Sequence, residues 1–261
     1  MVEWLLFGLI GVFAGLTAGL LGLGGGLVIV PALAFIFTLQ NMTEAQIMHV
    51  AIGTSLMTIT VTSFSAMLAH HRRGTVDWQV FKQLICGLLV GGLMGALLAS
   101  SLSSEILQRL FTFYVFLIAI KMWFKTKPNN FYILPGWMGS FFVGTGIGSV
   151  SAILGIGGGS MTVPYLIAGN KTMHQAIGTA VACGFPISIA GVVGFVLTGY
   201  EAGITMDGWY SGFINWKAFL GIIMTSMVFA TIGAGLARRM SVTTLRQLFS
   251  VFLIGVGIYM W

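Results

Sequence analysis

The sequence predicts an all-α fold: a polytopic transmembrane helical protein of two inverted-topology repeats, each with one glycine-broken helical element plus three spanning helices. Composition, the spacing of apolar runs and internal repetition carry that prediction. Of 261 residues, 57% are hydrophobic and only 7% charged, so long stretches hold no charge and suit hydrocarbon, whereas soluble domains carry about 25% charged residues. The 12 Lys and Arg behind the net charge of +6 are spread through short gaps between apolar runs. They read as membrane-flanking anchors and not as a nucleic-acid surface.

Taken in chain order, the first stretch, 4–39, is too long for one span and is interrupted by a glycine run. Its apolar run begins at once, with Glu3 in place of a basic leader and no small-residue cleavage site, and reads as a first membrane segment. Apolar runs at 47–69, 79–100 and 106–124 follow, each near the roughly 20 residues that cross a bilayer as helix. A second glycine-interrupted stretch covers 132–169, and three more spans cover 174–198, 217–237 and 243–261. Small residues at every fourth position, Gly11, Gly15 and Gly19, then Gly87, Gly91 and Gly95, predict close helix packing. Cys86 and Cys183 lie in apolar runs with no metal-ligand spacing and are expected to be packed thiols.

Repetition ties the two halves together. Leu-Gly-Leu-Gly-Gly-Gly-Leu-Val-Ile-Val-Pro-Ala-Leu from Leu21 matches Leu-Gly-Ile-Gly-Gly-Gly-Ser-Met-Thr-Val-Pro-Tyr-Leu from Leu154, with the four Gly and the Pro in step. Ala51-Ile52-Gly53-Thr54 pairs with Ala176-Ile177-Gly178-Thr179, Asp77-Trp78 with Asn215-Trp216, Leu110-Phe111 with Leu248-Phe249, and Met122-Trp123 with Met260-Trp261. The repeats therefore run 1–127 and 128–261, as one integral membrane unit. If each broken stretch returns to its side of entry, or crosses twice, each half crosses an odd number of times and the halves are inverted. One side then collects Arg72, Arg73, Asp77, Lys82, Lys121, Lys125, Lys127, Lys171, Arg238, Arg239 and Arg246; the other holds Glu3, Glu44, Glu105, Arg109, Glu201, Asp207 and Lys217. A single crossing by each broken stretch would erase that bias, so the positive-inside rule favours inversion, with both termini outside the cytoplasm.

Inverted repeats with discontinuous helices are a construction of secondary transporters, which hold substrate near the midplane where half-helix ends meet. The clusters Gly24, Gly25, Gly26 and Gly157, Gly158, Gly159 can break a helix and expose N–H groups that attract an anion. Pro31 and Pro164 follow them and shape the next helix. Nearby hydroxyls, Thr54, Ser55, Ser160, Thr162 and Thr179, are neutral donors for substrate, against the ordinary reading of each as bonded to its own backbone. His49 and His174 are candidates for proton coupling, with an interfacial helix-start residue as the plainer alternative. His70 and His71 beside Arg72 and Arg73 read as a solvated loop. No Asp, Glu, Lys or Arg falls at the centre of an apolar span, which argues for an anionic or neutral cargo held by dipoles and hydroxyls. Zinc motifs, paired membrane carboxylates and a nucleophile with a partner base are absent from the sequence, so no enzyme, metal or cofactor is expected.

The doubled motif, Gly-Leu-Gly-Gly-Gly at 22–26 with Val30-Pro31 and Gly-Ile-Gly-Gly-Gly at 155–159 with Val163-Pro164, each followed by Ala-Ile-Gly-Thr, resembles the sulfite exporter TauE/SafE family of membrane permeases. The resemblance spans essentially the whole chain. It implies export or uptake of sulfur-containing anions such as sulfite, thiosulfate or organosulfonates, usually across the bacterial inner membrane. The second Ala-Ile-Gly-Thr continues with Ala180 where the first has Ser55, so the half-sites differ chemically. The expectation is a permease working by alternating access around a midplane site at the two Gly motifs. Its partners are a small anionic substrate, protons as a candidate coupling ion and the lipid bilayer, with homo-oligomers left open. The alternatives are a permease for another small anion or a neutral sulfur compound, and a non-transporting membrane scaffold.

Overall fold

In the computed structural model, the described residues are 2–21, 25–123, 134–203, 208–237 and 242–261. The first half forms α1 (Val2–Leu21), α2 (Gly26–Leu39), α3 (Glu44–Arg72), α4 (Trp78–Ser101) and α5 (Ser104–Trp123). The second forms α6 (Trp137–Leu154), α7 (Gly159–Ala168), α8 (Met173–Glu201), α9 (Trp216–Ala237) and α10 (Val242–Met260). Each broken stretch is thus a pair of helices, followed by three more. A short antiparallel hairpin, β1 (Tyr210–Ser211) with β2 (Ile214–Asn215), precedes α9 and was not anticipated from the sequence.

Among the described residues, α3, α4, α5, α6 and α8 are long and apolar enough to cross a membrane. The 18 residues of α6 reach about 27 Å, whereas the 10 of α7 reach about 15 Å, half a bilayer core. Large apolar side chains stay exposed on outer faces, among them Leu97, Phe113, Phe142, Met224 and Ile258, as lipid contact requires. Cys183 is buried as expected, but Cys86 is exposed on α4, because its side chain points off the packed seam of that helix.

Helix ends follow local chemistry. Asp77 caps α4, its carboxylate accepting from the N–H groups of Gln79 and Val80. Thr172 and Gln175 form a capping box at the start of α8. Gly155 ends α6 in the left-handed region, φ +68°, and the Ile156 N–H closes back on the Ser151 carbonyl at 2.9 Å, a Schellman ending.

Helix pairing crosses the halves. α1 lies along α9, α6 lies along α4, and α3 and α5 each pack on their own counterparts, α8 and α10. The glycine ridges make the first two seams: Gly11 and Gly15 face Ile222, Thr225 and Ser226, while Gly87, Gly91 and Gly95 face Phe141, Thr145 and Ser149. A Cβ on Gly15 would sit 2.5 Å from the Ser226 carbonyl oxygen, so only glycine permits this approach.

Candidate functional site

The two glycine breaks meet inside the protein. A Cβ on Gly26 would lie 2.5 Å from the Gly155 carbonyl oxygen and 3.0 Å from the Ile156 Cα, so the start of α2 abuts the turn between α6 and α7. Gly24 lies outside the described residues. Gly25 precedes α2 in the right-handed region, φ −77°, whereas its repeat mate Gly158 precedes α7 at φ +70°. The Gly157 carbonyl oxygen is 2.8 Å from where a Cβ on Gly184 of α8 would sit. The first N–H groups of α2 and α7, those of Gly26, Leu27, Gly159 and Ser160, precede the first helical bonds and carry the positive end of each helix dipole.

Hydroxyls gather at the second break. Ser160 is buried and its Oγ lies 2.6 Å from the Tyr114 hydroxyl of α5. Thr162 donates to the Gly158 carbonyl at 2.9 Å, and Ser55 of α3 donates to the Gly155 carbonyl at 2.8 Å. Ser151, on the last turns of α6, is fully buried. Its Oγ has no partner and lies 3.3 Å from the Cβ position of Gly158. The first break carries Ala18 in the place of Ser151, Leu27 in the place of Ser160 and Phe252 in the place of Tyr114.

Thr54 and Thr179 lie together in role but apart in space. The Thr54 hydroxyl accepts from the Asn215 N–H at 3.0 Å, and Thr179 accepts from the Asp77 N–H at 2.9 Å. The glycine before each threonine makes room for the same segment: Cβ positions on Gly53 and Gly178 fall 2.7 Å and 2.6 Å from the carbonyl oxygens of Phe213 and Thr75. Each Ala-Ile-Gly-Thr motif therefore grips the cap of a helix in the other half. Asn215 caps α9 as Asp77 caps α4, its Oδ1 accepting from the Ala218 N–H at 2.9 Å. Sequence reasoning paired Asp77 with Asn215 but missed their threonine partners, which lie 102 and 161 residues away along the chain. Asp77 also pairs with Lys171 at 2.7 Å. Burial pushes its carboxyl up, but the Lys171 ammonium and the Val80 and Gln79 N–H groups outweigh that and hold it below the ordinary carboxylate range.

The histidines part company. His174 is exposed. His49 is buried and stacks on Phe213, ring centroids 5.0 Å apart. Its Nδ1 lies 3.1 Å from the Ala45 carbonyl oxygen, and its Nε2 lies 3.2 Å and 3.1 Å from those of Ala99 and Leu102. Only an imidazolium can donate on both sides; a neutral ring leaves one lone pair against a carbonyl. His49 lines an open cavity of about 450 Å³ with Gln46, Ser100, Ser103, Ser104 and Ala202.

Comparison with known proteins agrees over nearly the whole length. Residues 7–260 match the family model described as sulfite exporter TauE/SafE. A probable membrane transporter protein of Haemophilus influenzae is 35% identical over 97% of this chain and 96% of its own. The probable membrane transporter protein YunE of Bacillus subtilis is 27% identical over 98% and 96%. A probable membrane transporter protein of Methanocaldococcus jannaschii is 25% identical over 97% and 93%. No solved structure matches.

Proposed function

The chain belongs to the sulfite exporter TauE/SafE family of integral membrane proteins, and from that premise we propose that this membrane transporter carries small sulfur-containing anions, sulfite or organosulfonates, by alternating access. The direct contact of the two glycine breaks through Gly26 and Gly155 carries the reading. It sets the N-terminus of α2 against the turn that leads into the N-terminus of α7, in a buried interior where N–H dipoles stabilise negative charge without a lysine or arginine. Gly25, Gly26, Gly157, Gly158, Gly159 and Ser160 form the anion site in this proposal.

The hydroxyls of Thr54, Ser55 and Thr179 act one step away, holding the opposite half in place, since each is already bonded across the halves. The reciprocal pairing of α1 with α9 and α6 with α4 supports inverted repeats that rock against each other. With the charge bias of the loops it supports both termini on the periplasmic side of a bacterial inner membrane. His49, with a carbonyl acceptor at each ring nitrogen, takes the coupling proton; His174 is the weaker candidate.

Flux of labelled sulfite, thiosulfate, taurine and sulfoacetate into proteoliposomes, with and without a pH gradient, tests the proposal. Saturable flux of at least one, accelerated by the gradient, is expected. Folded protein that moves none of them overturns the sulfur-anion reading and leaves another cargo or a scaffold role.

A further inference from the structure

Resting on that reading, the geometry points to Ser151 as a substrate-binding residue: we infer that its hydroxyl and the N-terminus of α7 together seat the oxyanion head of a monoanion and disfavour dianions. Among the described residues, most helical hydroxyls bond back to the carbonyl three or four residues earlier, as Thr58, Thr60, Ser63, Thr145, Thr162 and Thr198 do. Ser151 does not. Its Oγ is fully buried and unpartnered, and it faces Gly158, the residue that opens α7. A buried hydroxyl left alone is disfavoured in the folded protein, so one that forgoes the usual helical bond points to a partner it meets during function.

The surroundings set what that partner is. The Gly159 and Ser160 N–H groups open α7 ahead of its first helical bonds and the Ser151 Oγ lies beside Gly158, so this turn offers donors, while the α7 carbonyls point toward the other end of that helix. Gly158 takes φ +70° and carries no Cβ, so its backbone comes close to the Ser151 hydroxyl, with the Ile187 Cδ1 against both, and an entering oxygen displaces that side chain. Ile147 and Ile187 line the same spot and exclude water. α6 and α7 carry no Asp, Glu, Lys or Arg, and α5 carries none between Arg109 and Lys121. Neutral dipoles at a desolvated site offset the burial of one negative charge far better than two. Hydrogen sulfite or a sulfonate head therefore fits, and sulfate does not. The first break, with Ala18 and Leu27 in the matching places, offers no such hydroxyls, so the hydroxyl contact comes from the second half, beside the N–H groups that both breaks supply.

The test uses the full chain in detergent and in proteoliposomes, with methanesulfonate and sulfate as probes at matched ionic strength. Methanesulfonate is expected to raise the melting temperature and sulfate to leave it unchanged. Ser151→Ala is expected to abolish that rise, leave the anion-free melting temperature equal or higher, and raise the KM for sulfonate flux about tenfold or more. Ser151→Cys puts a slightly larger and weaker S–H donor in the same place and should fall between. Undiminished stabilisation and KM in Ser151→Ala would overturn the assignment while leaving the transport proposal standing. Equal stabilisation by sulfate would overturn the charge preference, and wild-type protein that neither transports nor is stabilised would overturn both readings together.

Discussion

The two glycine breaks occupy matching places in the repeat, yet they are built differently. Gly158 holds a left-handed backbone among Ser151, Ser160 and Tyr114, whereas Gly25 holds a right-handed one and Ala18, Leu27 and Phe252 stand where those hydroxyls would be. Around them the frame is alike. Gly53-Thr54 grips the Phe213–Asn215 segment as Gly178-Thr179 grips Thr75–Asp77. The difference teaches that a repeated scaffold can hold two unlike breaks, with the hydroxyls gathered at one of them.

The comparison breaks most visibly if the frame proves unequal. Thr54→Val and Thr179→Val each leave a backbone N–H without its acceptor, a loss of about 1–3 kcal/mol apiece. Thermal unfolding should show similar falls for the two single variants and a larger one for the pair, with KM for flux per folded molecule unchanged. A KM change without loss of stability would mean that these hydroxyls touch substrate after all.

A smaller effect sharpens the contrast between the breaks themselves. Gly158→Ala must hold a Cβ at φ +70° and 2.6 Å from the Ile187 Cδ1, so it should destabilise by about 1–2 kcal/mol. Gly25→Ala keeps an ordinary backbone, its Cβ 3.1 Å from the Ile29 Cδ1, and should stay within about 0.5 kcal/mol. Equal falls for both in the same unfolding assay would mean that the two breaks share one conformation.

The least effect separates the two clamps by acid. A carboxyl held below its unfolded value of 3.8 contributes stability above that pH and loses it as the pH falls through the lower folded value. Asn215 has no proton to gain, so acid loosens only the Asp77 arm. Lys171→Met should weaken the protein by less than about 1 kcal/mol near neutrality, because the pair is part-exposed. It should also flatten the stability loss below pH 3.8; an unchanged acid limb would remove Lys171 from the clamp.

The fold was legible because its signals are local or periodic. Apolar runs give spans, Gly87, Gly91 and Gly95 give a seam, and two copies of one motif give two breaks. The partners were not legible, because a hydroxyl's acceptor or donor depends on helices far off in sequence. Thr54 reads the same whether it meets substrate or the Asn215 N–H. Ser151 was passed over as one small polar residue in an apolar helix. Setting the repeats side by side and asking where a hydroxyl replaces Ala18 or Leu27 would have added Ser151 to the Ser160 that the sequence already singled out.

The crossed seams also constrain the order of assembly. α1 leaves the ribosome long before α9, so the Gly8 carbonyl oxygen waits for the Thr225 hydroxyl 217 residues later, and Gly11 and Gly15 wait for the same helix. Until α9 has been inserted, the narrow face of α1 has only lipid or a chaperone against it. Half a molecule is therefore not a folding unit. Folding proceeds as a late closure of the whole chain, and a truncation just before α9 should be read by the cell's quality control as an unfinished protein and not as a smaller transporter.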